Sequence, residues 1–232
     1  MSSLIVDKCF YTQLALHSLL QLNGQHQKDI LSLKDINALQ AACNSLRPEI
    51  IFVNEDCFVT NAQSGHALRE VINAHPGTLF FVFISKENLN YQNYVPIRKN
   101  IIIISKSIRT TTIYQLIAHN LQLSRFTEAE PEVETEQPLD LTPVSLSRTE
   151  SSILKMWMSG LNTQNISQHL NIKQKTVASH KGNIKRKVKT QNKQAIYHVV
   201  KLTDILTTGM FVGRTQPIRL TGEPDEFTVP FG

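Results

Sequence analysis

Cysteine is scarce in this 232-residue chain: Cys9, Cys43 and Cys57 are the whole complement, and no two form a CxxC pair. An odd count without paired spacing excludes a disulfide framework, and the histidines stand singly, so neither a metal nor another cofactor is expected. Long apolar runs are missing too. The longest, Leu79 to Ile84 and Ile101 to Ile104, are strand-sized, whereas a membrane-spanning helix needs roughly 18 apolar residues. The N-terminus MSSLIVDKCF has no basic head followed by an apolar stretch, so no secretory signal is read and a cytoplasmic protein without membrane attachment is expected. A glycine-rich phosphate loop, a nucleophile elbow and an HExxH pair are all lacking. An enzyme would therefore have to work with polar groups at strand ends, and a non-enzymatic role is expected.

What is present is a polarised charge. Residues 1–126 carry a net +3, residues 127–143 hold six acids and no base, residues 144–213 carry +9, and the remaining tail carries −1. The acidic, proline-containing stretch has the composition of a linker. Positive charge gathered in one small region attracts polyanions. The division expected is a domain over 1–126, a linker over 127–143, a basic domain over 144–208 and a tail over 209–232 for which no role is read.

In the first domain, short apolar runs at Ser3 to Asp7, Ile50 to Val53, Leu79 to Ile84 and Ile101 to Ile104 are separated by stretches long enough for crossover helices. Continuous runs of Ile, Val and Phe mark strands buried on both faces of a parallel sheet, so a doubly wound α/β domain is expected. Functional groups of such sheets gather at the carboxyl ends of strands. Those ends supply Asp7, Asn54, Asp56, Ser85 and Lys106. Their order resembles the receiver domain of bacterial response regulators, which takes an acidic pair, a phosphorylated Asp, a Ser or Thr, and a Lys from successive strands. The chemistry is missing from the pattern. Lys8 stands where the second acid would hold a magnesium ion, Asn54 stands at the phosphoacceptor, and an amide is no phosphoryl nucleophile. Ile103 occupies the aromatic switch position. The expectation is a degenerate receiver; the alternatives are a conventional response regulator phosphorylated as a homodimer, with Asp56 as displaced acceptor, and an enzyme built on the strand-end groups.

The basic domain reads as four helices. Ser147 and Glu150 have capping-box spacing, Gly160 ends the first helix, and Asn162 caps the second. The helix-turn-helix spans about residues 163–182. On the third helix, Val177, Ile184 and Val188 form an inward stripe. Ala178, Gly182, Lys185 and Lys189 follow helical spacing on another face, flanked by Lys175, Thr176, Ser179, Lys181 and Arg186. Small side chains permit close approach and cations neutralise phosphates, so this face is expected to enter a groove of double-stranded DNA. Ala178 and Ser179 are expected at base edges, and Lys181, Lys185 and Arg186 at the backbone.

Leu146-Ser147, Arg148, Glu150, Leu154, Gly160, Ile166, Leu170, Ile172, Thr176-Val177, His180, Asn183-Ile184, Lys187 and Ala195 together resemble the LuxR-type DNA-binding domain. This sequence departs from it at Asn165, at Lys173 in place of a capping Ser or Thr, and at Ala178 in place of a base-contacting Lys. The last helix, Asn192 to about Leu206, carries Ala195, Ile196, Val199, Val200, Leu202 and Ile205. That is more apolar surface than a three-helix core easily consumes, and it is the expected dimerisation helix, with full internal packing as the alternative. Taken whole, RPEIIFVNEDCF, RKNIIIISKSI, LSRTES, NIKQKTVASHKGNIKRK and NKQAIYHVVKLTD resemble unphosphorylated auxiliary regulators of capsular polysaccharide synthesis, over residues 1–212. The resemblance implies an activator that binds an asymmetric promoter box as a heterodimer with a response regulator, and that a cytoplasmic protease degrades.

Overall fold

The computed structural model describes residues 2–84, 93–123, 139–207, 210–212 and 216–218. Its N-terminal part is a six-stranded sheet of β1 (Ser3–Val6), β2 (Ile30–Leu33), β3 (Ile50–Asn54), β4 (Leu79–Ile84), β5 (Tyr94–Arg98) and β6 (Ile101–Ser105), in the order β2-β1-β3-β4-β6-β5. All neighbours are parallel except β5 and β6. The apolar runs form strands because the sheet is covered on both sides, and their residues alternate between two cores. Leu4, Val6, Ile51, Val53, Phe80, Val82, Ile101 and Ile103 face α2 (Leu39–Leu46) and α3 (Ala62–Ala74). Ile5, Phe52, Phe81, Phe83, Ile102 and Ile104 face α1 (Phe10–Leu22) and α4 (Thr110–Leu123), with Phe52 and Phe81 stacked 5.0 Å apart.

Two strands depart from the sequence reading, and both lie at the sheet edges. β2 is short and half-exposed, so its apolar signal is weak. β5 carries Pro96, which has no N–H for a ladder and is tolerated at an edge. It returns antiparallel along β6 within a stretch read as crossover, which makes the sheet mixed rather than wholly parallel.

The C-terminal part consists of α5 (Arg148–Met158), α6 (Thr163–Leu170), α7 (Gln174–Lys187) and α8 (Lys193–Thr207), followed by a two-stranded ribbon of β7 (Met210–Val212) and β8 (Gln216–Ile218). Most of the tail, and linker residues 127–138, lie outside the described residues. Residues from Asp140 onward lie along β5: the Asp140 amide donates to Tyr94 Oη at 3.0 Å and the Val144 amide to the Pro96 carbonyl at 2.9 Å.

The two parts share one core. Ile153, Trp157, Val177, Ile184, Val199, Val200 and Leu206 belong to the same buried cluster as the α2–α3 side of the sheet. Helix α8 packs on α3, where the helical Gly65 leaves room that a Cβ would not: one built there would come within 2.8 Å of Ile205 Cγ2. Arg69 of α3 donates to the carbonyls of Ile205 and Asp204, and Arg98 of β5 to that of Thr207, so cations from the sheet domain cap the carboxyl end of α8. His198 of α8 hydrogen-bonds Glu55 at the end of β3, both side chains buried.

Candidate nucleic-acid interface and the strand-end cluster

Local sequence fixes the helix-turn-helix. The Glu150 amide donates to Ser147 Oγ at 3.2 Å while the Ser147 amide donates to Glu150 Oε2 at 2.9 Å, the capping box expected at the start of α5. Lys187 at the end of α7 reaches the same carboxylate at 2.6 Å, tying the first and third helices of the domain together. Burial pushes the Glu150 carboxyl up, but the hydrogen bonds from Lys187 and the Ser147 amide and the charges of Lys187 and His180 outweigh it, and its pKa lies below the ordinary glutamate value. Asn162 Oδ1 accepts from the Asn165 amide at 2.8 Å and caps α6. Between α6 and α7, Asn171 takes a left-handed φ of 49°, which asparagine tolerates better than most residues.

Val177, Ile184 and Val188 are fully buried and hold α7 against the domain. The opposite side faces outward: Lys175, Thr176, Ala178, Ser179, Gly182 and Arg186 are exposed, and Lys181 and Lys185 half-exposed. Lys173 caps the start of α7 without a side-chain hydrogen bond, as its replacement of Ser or Thr implies. Lys181 donates to Thr163 Oγ1 at 3.0 Å and lies 5.2 Å from the Trp157 ring centroid, with Lys193 5.9 Å from the same ring. Partial burial, then the neighbouring charges of Lys193 and Lys185, lower the pKa of Lys181. Cations that repel one another and lack acidic partners favour the arrival of an anion. Among the described residues neither Lys175 nor Lys185 forms an ion pair.

One residue of the expected stripe does not belong to it. Helix α7 ends at Lys187, and Lys189 has a left-handed φ of 55° that turns it off the helical face. Its ammonium lies 4.3 Å from the Tyr94 ring centroid and 3.8 Å from Asp140, on the side of the sheet domain. Ala195, Ile196, Val199, Val200 and Leu202, the residues expected from the sequence to dimerise, are all buried within the chain's own fold.

At the strand ends, Asp7, Asn54 and Lys106 meet. Asp7 is buried; its Oδ2 accepts from Asn54 Nδ2 and from Lys106 Nζ, each at 3.0 Å, and its Oδ1 from the Cys9 amide at 2.8 Å. Lys8 donates to the Asp56 backbone carbonyl at 3.2 Å, across the mouth of this cluster. Ser85 lies outside the described residues. The cluster presents one carboxylate already held by an amide and a cation, and no attacking oxygen at position 54. Among the described residues no group of three His, Cys, Asp or Glu side chains could hold a metal ion. Sequence reasoning missed the cross-domain contacts of Glu55, Arg69, Arg98 and His198, because nothing in local spacing reveals which surface another domain will cover.

A receiver-like sheet joined to a basic helix-turn-helix has the architecture of a DNA-binding transcriptional regulator. Residues 144–200 match the family model for bacterial regulatory proteins of the luxR family. Residues 2–129 match the model for the N-terminal dimerisation domain of the transcriptional regulator RcsA. The chain is 47% identical to the transcriptional regulatory protein RcsA of Pantoea stewartii subsp. stewartii and 45% identical to that of Escherichia coli O157:H7, each over 91% of this chain and 99% of the relative. The chain belongs to the RcsA family of transcriptional regulators. Its fold is similar to that in a complex of the two-component response regulator RcsB with DNA, at 17% identity and a TM-score of 0.51, covering 87% of this chain and 98% of that one.

Proposed function

We propose that the chain is a cytoplasmic activator of capsular polysaccharide genes, acting as the auxiliary partner of the response regulator RcsB on an asymmetric promoter box. The observation that carries the DNA-binding role is the outward face of α7, where Lys175, Ala178, Ser179, Lys181, Lys185 and Arg186 stand over a buried stripe with almost no acid to oppose them. Thr176 and Gly182 allow that face to approach the duplex closely; Lys189 stays with Tyr94 and Asp140. Partnership replaces phosphorylation in this reading, because Asn54 donates to Asp7 instead of presenting an oxygen to a phosphoryl group. The amount of protein, set by proteolysis, and the supply of partner then control activity.

A gel shift on a capsule-type promoter, with and without RcsB, tests this reading. A shifted complex requiring both proteins is the expected outcome. Equal binding by this chain alone would sink the partnership. Acetyl phosphate with magnesium should leave the intact mass unchanged, and a one-phosphoryl gain abolished by Asp56→Asn would restore the conventional response regulator.

A further inference from the structure

A carboxyl and an imidazole are enclosed together where the two parts of the chain meet. The Glu55 side chain is 3% exposed and that of His198 7%, and the two are hydrogen-bonded between Oε2 and Nε2. Glu55 belongs to the turn Glu55–Cys57 that follows β3, and His198 to α8. The turn is held from behind: Asn54 donates to Asp7, its Oδ1 accepts from the Asp56 amide at 3.3 Å, and Lys106 closes the same cluster on Asp7. The strand-end groups therefore present Glu55 to α8 from one fixed backbone position.

Withdrawing a carboxylate from water is costly unless a cation meets it, and an imidazole is a cation only while it holds its second proton. With that proton the Glu55–His198 pair is neutral overall; without it the pair has a net negative charge inside the contact. The charged groups around it are of other kinds. On α3, Arg69 donates to the Asp204 and Ile205 carbonyls, and from β5 Arg98 donates to that of Thr207. Beside Glu55 stand Asp56 and Cys57, with Lys8 on the Asp56 carbonyl; on α8 itself Lys201 is exposed and Asp204 buried. Carboxylates, guanidiniums and ammoniums ordinarily keep their charge between about pH 6 and 8.5, and burial pushes the Cys57 thiol up to about 11, so it stays neutral there. The neighbouring imidazoles lie elsewhere: the exposed His66 of α3 is 3.9 Å from Glu70, and His180 of α7 acts on Glu150.

We propose that Glu55 and His198 form a proton-dependent latch between the two parts of the chain, closed while His198 carries its second proton and loosened as the pH rises and that proton leaves. The DNA-binding helices are then docked firmly on the sheet domain in mildly acidic conditions and loosely in mildly alkaline ones. This adds pH to protein amount and partner supply as an input, and it depends on neither the partner nor the promoter box. Closing the latch takes up one proton, so the docking constant falls by up to about tenfold for each pH unit across the range where an imidazole titrates.

The test uses the full-length chain with a naphthylamine acceptor on the exposed Cys9. Energy transfer from Trp157 then reports how closely the DNA-binding part keeps to the sheet domain, while far-ultraviolet circular dichroism reports folding. In urea titrations at about pH 6.5 the two signals should be lost together, and at about pH 8.5 transfer should be lost first, with a docking constant lowered about tenfold or more. His198→Gln supplies an amide that donates as a neutral imidazole does, so it should separate the two midpoints at both pH values and remove the dependence on pH. His180→Gln should leave the wild-type response intact. Wild-type midpoints that stay together up to about pH 8.5 would overturn the latch, and this measurement needs no variant. A pH response that survives His198→Gln would overturn it too. If His198→Gln fails to fold, Glu55→Gln makes the same comparison: a response that persists without the carboxylate counts against the pair, and its disappearance supports it. A response abolished by His180→Gln and kept in His198→Gln would move the proton to the Glu150 cluster and overturn the proposal.

Discussion

Lys185 and Glu150 sit on the same small domain and answer to different physics. Lys185 is half-exposed and without an ion pair among the described residues, so its worth lies in displacing counterions from a phosphate. Lys185→Ala should weaken binding to all DNA sequences alike and flatten the slope of log affinity against log salt by about 0.9. A titration at several salt concentrations checks this, and an unaltered slope would remove Lys185 from the interface. Glu150 acts within the fold. Its folded pKa is depressed, so its stabilisation is complete above the unfolded-state value of about 4.5 and is lost as pH falls through the lower folded value. Glu150→Gln should therefore lower the melting temperature at pH 7, and the gap from wild type should close as the pH is taken below 4.5. The thiols divide the same way: burial raises Cys43 and Cys57 to about 11, whereas hydrogen bonds from the Thr12 backbone and side chain lower the exposed Cys9, so a disulfide reagent should label Cys9 first.

At the scale of elements, α7 begins without the side-chain cap that α5 and α6 possess. Lys173→Ser should stabilise the domain by about 1 kcal/mol, read as a higher denaturation midpoint; no gain would mean that the α6–α7 turn already satisfies the free amides. Elements whose signals are local were legible in the sequence. Ser147, Asn162 and Gly160 mark helix ends by their own chemistry, and IIFVN or LFFVFI announces a strand covered on both faces. Elements that depend on tertiary partners were not. The strand YVPIR reads poorly because its proline is acceptable only at an edge, and the end of α7 shows only in the backbone turn at Lys189. The apolar excess on α8 was visible, but a sequence does not say whether such an excess meets another molecule or another part of its own chain. Here α3 receives it. Asp7, Asn54 and Lys106 meet because strand ends converge whatever lies between them.

Across the whole molecule, one buried cluster extends from the sheet into the DNA-binding helices. The single tryptophan, Trp157, lies in the DNA-binding part, so its fluorescence and the far-ultraviolet circular dichroism of the full chain should melt with coincident midpoints. Gly65→Ala gains helix propensity of up to about 1 kcal/mol but brings a methyl group within 2.8 Å of Ile205 Cγ2. The contact should win and separate the two midpoints, and Ile205→Ala should bring them back together. Gly65 stands far in sequence from α7 and carries no side chain to offer DNA. A genetic screen for lost promoter activity should nevertheless return substitutions at Gly65, Arg69 and Glu55, scattered over the sheet domain in a map that resembles no binding site. The clustering would emerge only against α8, because what those alleles damage is the seat on which the reading helix is mounted.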